Sequence, residues 1–349
     1  MAAAPPSESA KVVGIPEIEL AARRLRGVVR ETPLLTLGPG ADRPRLFLKA
    51  ESLQVTGAFK VRGAYNAVAA LPPEVRRRGV VAASTGNHAI GVAAAAGWRG
   101  VPAWIVMPAD APDVKRAGVL ASAAELILGE GSSDDLKATA DAIAWRDGLT
   151  VISSYDNADV IAGQGTIGLE IVRQVAWELG LGGRARGPRS AAAIGRLVVM
   201  VPLGGGGLAS GIAIAVQALV PGARIVGVEP ELAAKGWSSL QAGRLITQPA
   251  DEVGRTIADG LRVARLGELP FEILQSRLDG IVRVTEGEIA DGVRRIAFGA
   301  HLVVEPAGAV AVAAWLHHRS ELPPADLTVC VISGGNVDPS SYRELLAGG

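Results

Sequence analysis

The residues best able to do chemistry stand in two glycine-containing segments. In VPLGGGGLASGIA (201–213) an apolar run ends in Gly204, Gly205, Gly206 and Gly207, then passes through Leu208 into a helical pattern. Residues without side chains let backbone N–H groups converge on a phosphate, and the start of the following helix adds positive potential. A dinucleotide site is the rival reading. Gly204, Gly206 and Ala209 satisfy a GxGxxA pattern, and Glu229 ends the next apolar run. That is roughly 20 residues on, where an acid would take a ribose hydroxyl. This rival implies a dehydrogenase, and the loop alone does not choose. A purely structural turn is the weakest reading, because four successive glycines are costly in chain entropy. The second segment is KAESLQVTGAFKVRGAYNAV (49–68), where Lys60 follows Gly57, Ala58 and Phe59 at the start of a helical pattern. A lysine met alone is a solvated surface charge, so its flanking residues must decide its role.

Such groups need strand–loop–helix junctions to position them, and the chain supplies the pattern. Short apolar runs at 45–50, 79–84, 101–107, 124–129, 149–154, 196–202, 223–229 and 327–333 predict strands. Helical stretches lie between them, the clearest at 134–145, and an amphipathic helix is predicted over 15–30 with Ile18, Ala22, Leu25 and Val29 on one face. Uniformly apolar strands alternating with helices imply an α/β fold with parallel sheets covered on both faces. Ligands in such folds bind beyond the carboxyl ends of the strands. Equal numbers of acidic and basic residues, 35 each, argue against a polyanion partner such as nucleic acid. The one cysteine, Cys330, lies in an apolar run and reads as a buried strand thiol, which excludes a disulfide framework and a cysteine-based metal site. No signal peptide or membrane-spanning run is apparent, so a cytoplasmic protein is expected. GGRARGPRS (182–190) reads as a basic, solvated insertion.

Taken together, ESLQ, TGAFK and RGA resemble the cofactor-lysine segment of threonine dehydratases and serine racemases, which are fold type II (tryptophan-synthase-β-like) pyridoxal-phosphate enzymes. The resemblance continues in order through ASTGNHAIG (83–91), DVIAGQGTIGLEI (159–171), GGGGLASGIA (204–213), TIADGLR (256–262), EPAGAVAVAA (305–314) and VISGGNVD (331–338). It implies two open parallel-type sheets flanked by helices, with a large cofactor domain (1–52 and 155–349) and a small substrate-side domain (53–154). Residue by residue, it implies that Lys60 forms a Schiff base with pyridoxal 5'-phosphate and that Phe59 packs beside it. Asn87 would bond the ring hydroxyl, and Gly204, Gly205, Gly206, Gly207 and Leu208 would cradle the phosphate. Ser333 would face the pyridine nitrogen. Ser84, Thr85, Gly86 and Asn87 would hold the substrate carboxylate, with His88 nearby. A homodimer acting on a small amino acid is expected.

The implied reaction is dehydration and deamination of a β-hydroxy amino acid, such as L-threonine or L-serine, to a 2-oxo acid and ammonia. Lys60 would take the Cα proton. Ser333, a hydroxyl rather than a carboxylate, favours prompt loss of the β-hydroxyl over transamination, with the phosphate as proton donor to the leaving group. Serine racemisation, 3-hydroxyaspartate dehydration and cofactor carriage without turnover are the alternatives. SSYDNAD (153–159), expected to border the substrate side chain, offers no Arg or Lys and so counts against hydroxyaspartate. Three departures from the pattern stand out. Ala58 replaces a common serine, Thr85 stands where racemases use serine, and Lys235, six residues after Glu229, stands where metal-dependent members have an aspartate. No metal is therefore expected, since a tethered ammonium beside Glu229 would fill the hole. No segment follows Gly349, so isoleucine regulation is not expected and a catabolic role is.

Overall fold

The protein is described here from a computed structural model, which describes residues 12–37, 45–131, 133–182 and 193–348. Two sheets organise it. The larger has six strands in the order β1-β2-β10-β7-β8-β9. These are β1 Leu34–Thr36, β2 Arg45–Ala50, β7 Leu197–Pro202, β8 Arg224–Pro230, β9 Gly280–Val284 and β10 Leu327–Ile332. All its pairings are parallel except that of β1 with β2. The smaller sheet has the order β5-β4-β3-β6, all parallel. Its strands are β3 Val80–Ala83, β4 Ala103–Pro108, β5 Glu125–Gly129 and β6 Thr150–Val151.

The apolar runs explain this arrangement. Every residue of β7 and β10 is buried, as expected of strands covered on both faces. One core cluster packs the helices Ala158–Glu178 and Gly207–Leu219 on one face of the large sheet, and a second packs Glu286–Ala300 and Pro306–His317 on the other. Cys330 is a buried strand thiol whose pKa burial pushes up.

The chain departs from its sequence pattern in four places. The first helix stops at Leu25 because Arg26 turns to extended backbone and Gly27 takes a φ of +76°; Ala21 rather than Ala22 joins Ile18 and Leu25 in the core. The run at 149–154 gives only the two-residue β6, after which Ser153 and Ser154 leave the sheet to line a cavity. β1 and β9 were not foreseen, being edge strands that are short or half exposed. The basic insertion falls, from 183 onward, outside the described residues.

A closed set of charges fixes the helix Lys60–Ala70. Arg62 bonds both carboxylate oxygens of Glu51, at 2.8 Å each, and both of Glu170, at 2.6 and 2.9 Å. Lys49 closes the set on Glu170 at 2.6 Å and on the Thr32 carbonyl at 2.7 Å. Arg62, Glu51 and Lys49 are all 1% exposed or less. Removing one member of a buried ion set strands its partners and costs about 3–5 kcal/mol. Arg62→Met should therefore lower stability in chemical denaturation by about that amount. Arg146→Met, which removes an exposed pair with Asp147, should leave the midpoint unchanged.

Candidate active site

The carboxyl ends of strands from both sheets meet at one cavity of about 510 Å³. Its lining includes Lys60, the segment 83–88 after β3, residues 151–156 at and after β6, Gly204 to Leu208 after β7, and Ser333 after β10. Lys60 is the first residue of its helix. Its Nζ donates to the Ser154 carbonyl at 3.0 Å and lies 5.2 Å from the Phe59 ring centre. Burial lowers its pKa to about 8, against the opposing pull of the Glu305 charge. The segment just before it is laced to the chain after β10. Phe59 N–H donates to the Ser333 carbonyl at 3.0 Å, Gly335 N–H to the Gly57 carbonyl at 2.8 Å, and Ala58 bridges to Gly334. Ser333 is buried, and its hydroxyl donates to the Ala307 carbonyl at 3.4 Å.

The glycine loop leads into the helix Gly207–Leu219, whose first-turn N–H groups have no intrahelical acceptors. Gly206 takes a φ of +98°, which side-chain-bearing residues rarely adopt. A Cβ at Gly205 would fall 2.1 Å from the Tyr155 ring. Close approach by the protein itself, and not only by a ligand, thus requires a glycine there. Glu229 does not line the cavity. Its carboxylate accepts from the N–H groups of Gly236 and Trp237, at 2.9 Å each, and pairs with Lys235. It is therefore not free to bind a ribose, and the dinucleotide reading fails on that point.

A polar cluster closes another wall. The Asn87 amide donates to Glu305 at 2.5 Å and accepts from Asn336 at 2.8 Å. Buried Lys115 pairs with Asp259 and, at 3.4 Å, with Glu305. Burial pushes Glu305 up to about 7, with Lys115 opposing. His88 lines the cavity and hydrogen-bonds the Ile152 carbonyl through Nε2, at 2.7 Å, which makes Nε2 its protonated nitrogen. Burial, with the Lys60 charge, lowers its pKa to about 3, so the ring stays neutral. Ser84 Oγ accepts from Gly86 N–H at 3.2 Å, Gly86 is buried, and Thr85 is exposed on the cavity wall.

A family model described as "Pyridoxal-phosphate dependent enzyme" matches residues 25–334. The chain belongs to this family of pyridoxal-phosphate-dependent enzymes. It is 37% identical to the L-threo-3-hydroxyaspartate ammonia-lyase of Saccharomyces cerevisiae, over 94% of each chain. It is 38% identical to the L-threonine ammonia-lyase of Thermotoga maritima, covering 96% of this chain and 78% of that one. It is 35% identical to the serine racemase of Schizosaccharomyces pombe, over 95% of this chain and 96% of the relative. The structure of maize serine racemase superposes with a TM-score of 0.85 at 32% identity, over 97% of this chain and 98% of that one. The fold is accordingly that of fold type II, the branch is that of ammonia-lyases and racemases, and the cofactor is pyridoxal 5'-phosphate.

The residues present suit that cofactor. A cavity with a half-buried amine on one side and a glycine cradle at a helix N-terminus on another offers an aldehyde and a phosphate their natural partners. Several lining residues escaped the sequence reading. Glu305 and Asp259 stood inside recognised motifs without being given a role, and Lys115 carried no local signal, whereas Ser154 and Tyr155 belong to the segment 153–159 already expected to border the substrate. The lining also includes Lys137, Arg262 and Arg265, so cations absent from 153–159 arrive from other segments. Lys60 in apoprotein should react with a small amine-directed reagent such as cyanate with a midpoint near pH 8, read by peptide mass spectrometry. The sign follows from the lowered pKa, which frees the amine roughly two units below an ordinary lysine. A midpoint above pH 10 would show that burial does not act on it.

Proposed function

We propose that this enzyme dehydrates and deaminates a small β-hydroxy amino acid, L-threonine or L-serine, to a 2-oxo acid and ammonia. The observation that carries this proposal is the pairing of Lys60, an amine held near pKa 8, with Ser333, a neutral hydroxyl, in one cavity. When bound, the cofactor draws electrons from Cα of the amino acid joined to it. Lys60 holds it and then, as a free amine, takes the Cα proton, a task that suits a base poised near neutral pH. Phe59 packs beside it and Asn87, itself fixed by Glu305 and Asn336, bonds the ring hydroxyl. Gly204, Gly205, Gly206, Gly207 and Leu208 hold the phosphate, and Ser333 faces the ring nitrogen. Ser84, Thr85, Gly86 and Asn87 hold the substrate carboxylate, and His88 braces the wall that carries Ser154. Loss of the β-hydroxyl as water leaves an enamine that, once released, tautomerises and hydrolyses. The proposal includes a large domain of 1–52 with 155–349, a small one of 53–154, and a catabolic homodimer in the cytoplasm.

Racemisation needs a second acid–base group on the opposite face of Cα. Thr85 has a hydroxyl, but its branched side chain is stiff, and proton transfer is sensitive to small misplacements. Elimination should therefore dominate. From L-serine, wild type should form pyruvate in excess over D-serine, and Thr85→Ala should keep pyruvate as the main product, with a higher KM from the lost contact to the carboxylate. Mostly D-serine from wild type, lost in Thr85→Ala, would make the enzyme a racemase.

A second reading has its own support. Lys137, Arg262 and Arg265 in the cavity lining suit a second carboxylate, as in threo-3-hydroxyaspartate. Comparing kcat/KM for threonine, serine and 3-hydroxyaspartate separates the two. Only the second reading has Arg265→Ala and Lys137→Ala lose the dicarboxylate selectively.

A further inference from the structure

Lys235 is a fully buried cation that takes no part in the chemistry above, and it bonds the chain one residue before the glycine loop. It is 0% exposed. Its Nζ donates to the carbonyls of Leu203 at 2.8 Å, Ala233 at 3.0 Å and Leu261 at 3.5 Å, and lies 3.0 Å from Glu229 Oε1. An ammonium has three N–H donors, so these oxygens satisfy it without water. Glu229 is equally complete, since the N–H groups of Gly236 and Trp237 at the start of the helix Lys235–Ala242 bond its two oxygens. The fit is close. A Cβ at Gly236 would lie 2.7 Å from the Leu203 side chain and 2.9 Å from Glu229 Oε1.

A carboxylate and three carbonyls drawn from separate segments form a hard-oxygen donor set of the kind that holds a metal cation. Here the charge is tethered to the chain. We propose that Lys235 is a built-in cation that takes the place of a structural metal ion and fixes the approach to the phosphate-binding loop. Two links transmit its effect. Leu203 is held from the other side by its N–H on the Val228 carbonyl at 2.8 Å, so the ammonium fixes the second end of the peptide chain entering Gly204. Leu261 closes the short turn Asp259–Leu261, whose Asp259 pairs with Lys115 on the cavity wall. Lys235 thus acts as a positioning residue for two walls of the cavity while touching neither substrate nor cofactor.

The test compares wild-type holoenzyme with Lys235→Met and Lys235→Asp. The readings are cofactor dissociation, followed by its visible absorbance, and the unfolding midpoint of the apoprotein. In wild type neither chelation nor added Ca²⁺ or Mg²⁺ should change either reading. Lys235→Met keeps the volume and loses the charge. It should hold the cofactor about tenfold more weakly, the scale on which groups supporting a ligand site act, and divalent ions should not help because the side chain fills the hole. Lys235→Asp in chelator should weaken at least as far, and Ca²⁺ should restore cofactor affinity and raise the apoprotein midpoint. With Glu229→Gln added, that response should vanish. If Lys235→Asp folds poorly without metal, folding in Ca²⁺ is the expected rescue, and no rescue counts against a cation site. Wild type that loses cofactor on chelation, or Lys235→Met with wild-type cofactor affinity, overturns the proposal.

Discussion

The structure depends on holding the start of the helix Lys60–Ala70 still in a crevice between two sheets. Two residues after Lys60, Arg62 is locked by Glu51 and Glu170 with almost no exposure. Just before Lys60, backbone hydrogen bonds tie Gly57 and Phe59 to Gly335 and Ser333. The helix start is pinned from both directions, and moving it would strand buried charge as well as break backbone pairing. An amine so placed keeps its position relative to the loop after β7 and the turn after β10, which are built on neighbouring strands of one sheet.

That placement also sets the electrostatics. Removal from bulk water lowers Lys60 to about 8, lowers His88 to about 3 and raises Glu305 to about 7. In each case burial disfavours the charged form. The result is a site in which the base is available near neutral pH, the histidine is a fixed neutral donor, and Glu305 titrates in the working range. Lys115, which also pairs with Asp259, opposes that rise from within the same cluster.

The sequence made the sheets' central strands legible because they are buried on both faces and so read as continuous apolar runs. β1 and β9 were not legible, because an edge strand need not be apolar throughout. Lys60, the glycine loop and Ser333 were readable from motif context, and the structure brings them to one cavity. The cluster of Glu305, Lys115 and Asp259 was not, because its members lie far apart in the chain and only the fold joins them. The glycine loop was read only as a cradle for a phosphate, and its packing against the protein itself was not legible. Gly205 is also needed for the close approach of Tyr155, a contact between segments distant in the chain that only the fold reveals.

The central claim is that Lys60, and no other buried lysine, meets the cofactor opposite the glycine loop. Borohydride reduction of the holoenzyme, followed by proteolysis and peptide mass spectrometry, tests it most directly. The account predicts a stable cofactor adduct on the peptide carrying Lys60 and none on those carrying Lys49, Lys115 or Lys235. An adduct on any of those three, with Lys60 unmodified, would contradict it.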